Sequence, residues 1–155
     1  MTERDETMDE IRNAMRRFHR GERAEARESL LGMLRELDFG GNTFHRCVIA
    51  HYLADMQTAL DEELEWDKKA LEIAESDPEA PGVAVFLPSL HANLADCYRR
   101  AGDFAKARSH VDRGMELSAV LGYDAYGQNV RGALVRIDTQ VSERDSGPAI
   151  IFDMD

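Results

Sequence analysis

Apolar residues recur at helical spacing along most of the chain, and short turn signals divide this pattern into paired segments. The first pair covers residues 8–37, with Gly21 as its turn residue. No alternation of apolar and polar residues is long enough to predict a β-sheet. The pattern therefore predicts an all-α protein built from helix hairpins. The two stripes of the first pair are Ile11, Ala14, Met15 and Phe18, followed by Ala26, Leu30, Met33, Leu34 and Leu37.

Five further helices are expected from the same pattern. The third follows a loop over residues 38–43, in which Asn42 or Thr43 can supply the capping side chain. The fourth begins with acidic residues, which interact favourably with the partial positive charge at a helix N-terminus. Glycines 102 and 122 separate the last three helices. These five helices are predicted over residues 44–56, 61–74, 89–101, 104–117 and 125–141.

A proline-rich segment interrupts the pattern over residues 76–88. Its residues from Val83 to Leu87 are nevertheless apolar. Proline lacks a backbone N–H and clashes with the preceding helical turn, so we expect no regular helix here. We predict instead an ordered connection, which packs on the core or covers a groove as a lid. The residues on which this expectation depends are Pro78, Pro81, Gly82 and Pro88.

The hairpin over residues 88–119 combines large and small residues in a spaced pattern. Its first helix carries His91, Leu94, Ala95 and Tyr98, its turn is Gly102-Asp103-Phe104, and its second helix carries Ala107 and Val111. This pattern resembles the tetratricopeptide repeat (TPR), a helix hairpin of about 34 residues. Small side chains at Ala95, Ala107 and Gly114 would let neighbouring helices cross closely.

Two earlier segments, residues 8–37 and 43–75, repeat this pattern less closely. Met15 lies 35 residues before Ala50, and Ala50 lies 45 residues before Ala95. The longer interval exceeds one repeat by about 11 residues, which matches the proline-rich segment. The spacing therefore predicts three TPR-like hairpins and one closing helix.

The resemblance implies a fold and a division of the chain. The fold is a right-handed helical-hairpin solenoid with three TPR-like hairpins and a C-terminal capping helix. A single TPR-like domain covers residues 8–141, with its insertion near 76–88. Residues 1–7 are expected to be disordered, and residues 142–155 to form an extended C-terminal tail.

In TPR proteins the first helix of each hairpin lines a concave groove that holds a peptide or a partner helix. The resemblance therefore implies a non-catalytic protein–protein interaction module. Because arginine forks suit carboxylates, an acidic peptide is the expected ligand. The alternative is a solvated charged face with ion pairs inside each helix. The implied groove residues are Arg12, Arg16, His19 and Arg20, then His51 and Asp55, then Asp96, Arg99 and Arg100.

The C-terminal tail joins an apolar stretch to an acidic end, with the sequence AIIFDMD. One hypothesis is that the tail docks in the groove of the same chain or of a neighbouring chain, which would cover Ile150, Ile151 and Phe152. A frayed terminus is the alternative. A homo-oligomer that closes through the last helix and the tail is a further alternative.

Two patterns raise the alternative of an enzyme. Cys47, His51 and Asp55 follow one another at intervals of four, so one helix face would present a thiol, an imidazole and a carboxylate. The acidic helix over residues 61–75, which includes Asp61, Glu62 and Glu65, suggests a small all-α metal-dependent hydrolase. Neither pattern is completed by a second ligand set. We therefore expect no catalytic residue, no metal and no cofactor.

Charge and composition narrow the classes of partner and of compartment. Thirty acidic residues against 19 basic ones give a net charge of −11, which disfavours nucleic acids and anionic membranes as partners. No apolar run approaches the roughly 20 residues of a membrane span. Cys47 and Cys97 are expected to be free thiols in a reducing cytoplasm. Sixteen arginines against three lysines are typical of a GC-rich, bacterial genome.

Overall fold

The computed structural model describes residues 4–150. Within this range the chain forms seven α-helices, one short 3-10 helix and no strand, so the predicted all-α class is confirmed. None of these helices combines the length and the apolar character that a membrane span requires. The elements are α1 (Glu6–His19), α2 (Arg23–Leu37), α3 (Thr43–Asp55), α4 (Leu60–Ser76), α5 (Val83–Arg100), α6 (Phe104–Leu117), the 3-10 helix (Ser118–Val120) and α7 (Ala125–Ser142).

The chain divides into two compact units. The first contains α1, α2, α3 and most of α4, and its described residues are 4–73. The second contains the end of α4 and everything after it, and its described residues are 74–150. Residues 8–141, predicted as one repeat domain, are thus distributed over both units.

In the first unit, α1 and α2 form the predicted hairpin, and α3 packs against both. The apolar stripes meet in a core that includes the fully buried Ile11, Leu30 and Ile49. Gly21 lies at the turn with a φ of 97°, a conformation that glycine adopts without steric cost. Of the two predicted capping residues, Asn42 and Thr43, it is Asn42 that caps α3: its side chain accepts a hydrogen bond of 2.9 Å from the His45 backbone N–H.

Helix α1 begins two residues earlier than the sequence pattern indicated. Residues 6 and 7 were expected to be disordered, but they form the first turn of the helix. The reason is an N-cap: the Asp5 side chain accepts a hydrogen bond of 3.0 Å from the Met8 backbone N–H. Residues 1–3 of the expected disordered segment lie outside the described part of the chain.

In the second unit, α5 packs against α6 and α7, and these two helices also pack against each other. Gly114 of α6 lies where the three helices meet. A Cβ atom at this position would lie 2.8 Å from Leu134 Cδ2 and 3.4 Å from His91 Cβ. The expectation that a small residue here permits a close helix crossing is therefore confirmed.

The prediction for the proline-rich segment is wrong in its second half. Helix α5 begins at Val83 rather than Ser89, and Pro88 lies inside it. An internal proline costs about 3 kcal/mol or more. Against this cost, Val83, Phe86 and Leu87 are buried, and each buried apolar side chain contributes about 1.5–3 kcal/mol. The gain from burying this apolar run outweighs the missing hydrogen bond, so the helix continues through the proline.

Candidate functional site

The described part of the C-terminal tail, residues 143–150, begins at a tight turn after α7. The Asp145 N–H donates to Gln140 O at 2.8 Å, and the Arg144 N–H donates to Val141 O at 3.1 Å. This pair of bonds defines a Schellman turn, whose central residue adopts a left-handed conformation. Arg144 occupies that place with a φ of 54°. The chain thereby turns away from the axis of α7 and continues without helical structure.

The same turn ends α1 and α5, with glycine at the central position. Gly21 and Gly102 adopt φ values of 97° and 82°, and each is followed by a short link to the next helix. After α7 no helix follows within the described residues. The Arg144 guanidinium instead lies 5.1 Å from the centre of the Phe104 ring, where the attraction between a cation and an aromatic face holds it.

The tail lies on the side chain of Arg99 in α5. Arg99 Nη1 donates to the carbonyl oxygens of Asp145 and Gly147 at 2.8 and 3.1 Å, and Arg99 Nη2 donates to the carbonyl of Pro148 at 2.7 Å. Arg99 Nε and Nη2 also donate to Asp96 Oδ1 at 3.0 and 2.7 Å. All five N–H donors of the guanidinium therefore have an acceptor. This complete set explains how an arginine side chain with no exposed surface is tolerated.

Asp96 is the second half of the site. Its Oδ1 accepts from Arg99, and its Oδ2 accepts from Arg100 Nε at 3.0 Å and from the Ile150 backbone N–H at 3.3 Å. The carboxylate is only 4% exposed. Asp96 and Arg99 together thus bind both an N–H and three carbonyl groups of one non-helical segment. We call these two residues the main-chain clamp.

The structure brings three of the predicted groove residues together in the second unit: Asp96, Arg99 and Arg100. In the first unit, His51 is buried, and its Nε2 lies 3.4 Å from Asp55 Oδ2. The remaining predicted residues are exposed on α1 or directly after it, and some lie near acidic neighbours, such as Arg20 at 3.5 Å from Glu22. These exposed residues are Arg12, Arg16, His19 and Arg20.

The cysteine pattern does not provide an activated thiol. Cys47 has no exposed surface, and burial raises the pKa of its thiol to about 12 against the opposing effect of the Arg46 charge. A thiol with such a pKa stays protonated at neutral pH, whereas the thiolate is the nucleophile and the metal ligand. The predicted alignment of Cys47 with His51 and Asp55 therefore lacks the reactive form that chemistry would need.

The acidic helix lines an open cleft in the first unit. Asp61, Glu62 and Glu65 border this cleft of about 430 Å³. Arg27 and Trp66 are also among its lining residues, so a cationic side chain lies among the carboxylates. The cleft is thus mixed in charge rather than a set of carboxylates alone.

A pair of histidines in the second unit was not singled out from the sequence. His91 Nδ1 and His110 Nδ1 lie 3.1 Å apart, and the Tyr98 ring stacks on His110 at 5.5 Å between centres. Burial, together with the neighbouring charges of His110 and Arg113, lowers the pKa of His91 to about 4. Burial also lowers the pKa of His110. The only sequence signal for this cluster was the spacing of His91 and Tyr98 on one face of α5.

Comparisons of the chain with protein-family models, with curated proteins and with solved structures returned no match.

Proposed function

We propose that this chain is a TPR-like protein-interaction module whose second unit binds an extended peptide segment of a partner protein. The observation that supports this function is the main-chain clamp, Asp96 and Arg99. The clamp already holds a non-helical segment of polypeptide, and it does so through backbone groups that every peptide possesses. The function is binding alone, with no bond made or broken.

The chemistry of the clamp favours recognition of backbone over recognition of charge. The Arg99 charge is balanced by Asp96 at 2.7 Å, so the guanidinium presents directed N–H donors rather than a free cation. Its three contacts to the segment end on neutral carbonyl groups. We infer that the ligand is defined by its backbone conformation first, with Arg100 adding a modest preference for acidic residues nearby.

The repeated helix ends support the TPR-like part of the proposal. Helices α1 and α5 both end in a Schellman turn at glycine, and each then leads into an antiparallel partner helix after a short link. Such αα-hairpins are the units from which TPR-like proteins are built. In the second unit the clamp residues lie on the first helix of the hairpin, which is the helix that binds ligands in that family.

A selection experiment tests the proposed function. Random peptides displayed on phage are selected on the purified full chain, and the enriched peptides are titrated into ¹⁵N-labelled protein. We expect the largest chemical-shift changes at the Arg99 side-chain Nε–H and at the backbone amides of residues 145–150. Enriched peptides that shift only signals of other residues, or a selection without enrichment, would contradict the proposal.

A further inference from the structure

The tail is attached to the main-chain clamp through its backbone, while its own side chains contribute little. Asp145, Ser146, Pro148 and Ala149 are all exposed. Four hydrogen bonds hold the backbone of this segment: Arg99 donates three of them, and the Ile150 N–H donates the fourth to Asp96. A segment that buries so little apolar surface belongs to the low-stability parts of a protein, which open without global unfolding.

The tail segment also contains a turn that its own side chain stabilises. The Gly147 N–H donates to Asp145 Oδ1 at 2.8 Å, which makes an Asx turn. Pro148 has no N–H to satisfy and presents only a carbonyl. The next polar contact is the Ile150 N–H, two residues after the proline, which donates to Asp96. The segment therefore satisfies its own donors at the turn and offers three carbonyls and one N–H to the clamp.

We propose that residues 145–150 occupy the main-chain clamp of their own chain and compete there with the partner's segment. They also show which class of segment the clamp accepts. This inference rests on the proposed function. The partner segment would have an Asp-x-Gly-Pro turn, or an equivalent one, followed by an extended residue with a free N–H two positions after the proline. Binding of the partner requires release of the tail, so the tail lowers the apparent affinity of the module.

The size of this effect follows from the connection between the tail and α7. A ligand attached by a short link has an effective concentration in the millimolar range, so a free peptide with the same contacts competes poorly. Loss of one clamp hydrogen bond from the tail weakens the cis contact roughly fivefold. Since the cis and trans segments compete for one site, the apparent affinity for the free peptide rises by the same factor.

The test uses full-length chains and a fluorescein-labelled synthetic peptide with the sequence of residues 143–155. Ile150→Pro removes the N–H that the tail donates to Asp96, and Ile150→Val is the matched control that retains it. A chain that ends at Ser142 provides a second way to empty the clamp, after circular dichroism has verified its helix content. Fluorescence anisotropy gives the affinity of the peptide for each chain.

We expect the peptide to bind the Ile150→Pro chain about fivefold more tightly than the wild type and the Ile150→Val chain. A peptide that itself carries proline at position 150 should bind the Ile150→Pro chain more weakly, which shows that it uses the same contacts. Equal affinity for all full-length chains would overturn the competitor role while leaving the proposed function intact. No binding to any chain, including the chain that ends at Ser142, would overturn both.

Discussion

Arg99 Nη2 and Asp96 Oδ1 lie 2.7 Å apart on α5, and the two side chains are 0% and 4% exposed. A buried ion pair contributes little net stability on its own, because both charges lose their hydration. This pair is tolerated because the remaining donors of Arg99 meet backbone carbonyls of the tail. The same guanidinium therefore bonds both the Asp96 carboxylate and the tail. A change in the ion pair should affect the attachment of the tail, and the reverse.

Removal of one charge from this pair should be costly. Asp96→Asn keeps the volume of the side chain but leaves the buried Arg99 charge without its counter-ion, so we expect a loss of about 3–5 kcal/mol in the free energy of unfolding. Urea denaturation followed by circular dichroism measures it. The matched control is Asp112→Asn, which removes one of the two carboxylates that pair with Arg108 at the surface, the other being Asp138, and there the expected loss is below about 1 kcal/mol. Similar losses in the two variants would contradict a buried pair at Asp96.

Gly114 should be intolerant of a larger side chain. Gly114→Ala places a methyl group 2.8 Å from Leu134 Cδ2, and overpacking of this kind costs about 1–3 kcal/mol. Gly132→Ala is the control, because the nearest atom to its Cβ is the mobile Arg136 Nη1 at 3.5 Å. There we expect a gain of about 0.5–1 kcal/mol from helix propensity. Thermal unfolding of both variants distinguishes the cases, and a Gly114→Ala protein as stable as the wild type would refute the close crossing.

His91 should make the protein less stable in mild acid. Its pKa is about 4 in the folded chain against an ordinary value of 6.5, so the unfolded chain binds the proton more readily. The stability that this difference provides is complete above pH 6.5 and is lost as the pH falls towards 4. At about 1.4 kcal/mol per pKa unit, the loss is about 3 kcal/mol.

The measurement compares wild type with His91→Gln at pH 7 and pH 4.5 by urea denaturation. Groups that do not contact position 91 titrate equally in the two proteins, so the variant should lose less stability than the wild type over this interval. An NMR titration that finds the His91 pKa near 6.5 in the folded protein would remove the basis of the prediction.

The two cysteines should be unreactive in the folded protein. Cys47 and Cys97 have no exposed surface, and the Cys47 thiol, with a pKa of about 12, remains protonated at pH 8. With Ellman's reagent we expect slow labelling without denaturant and rapid labelling of both thiols in 8 M urea. Rapid labelling of Cys47 in the folded chain would show that the thiol is accessible and that its environment is not the one described here.

Most helix positions could be read from the sequence because they depend on local interactions. Helix α6 was predicted over residues 104–117 and is found as Phe104–Leu117, where the Asp103 side chain caps it by accepting from the Lys106 N–H. The turn at Gly21 and the cap at Asn42 were predicted for the same reason. Periodicity, caps and turn glycines act within a few residues, so the sequence displays them directly.

The start of α5 could not be predicted, because the free-energy cost of a proline does not by itself decide whether a helix continues through it. The cost of Pro88 is local, but the burial of Val83 and Phe86 that outweighs it depends on tertiary packing. The sequence shows a proline beside an apolar run and does not show which of the two effects is larger. The free energy gained by burying the apolar run can be judged only from the packed structure.

The candidate site was likewise predicted only in part from the sequence. A resemblance to a repeat family was enough to single out Asp96, Arg99 and Arg100 as residues of interest. In the structure, Arg99 and Asp96 bind a backbone segment 46 to 54 residues further along the chain, mainly through its carbonyl groups. Every residue has a carbonyl, so no sequence pattern marks the ones that will meet Arg99. Helix positions and residue types follow from local sequence, whereas these pairings are decided by how the helices pack and where α7 directs the tail.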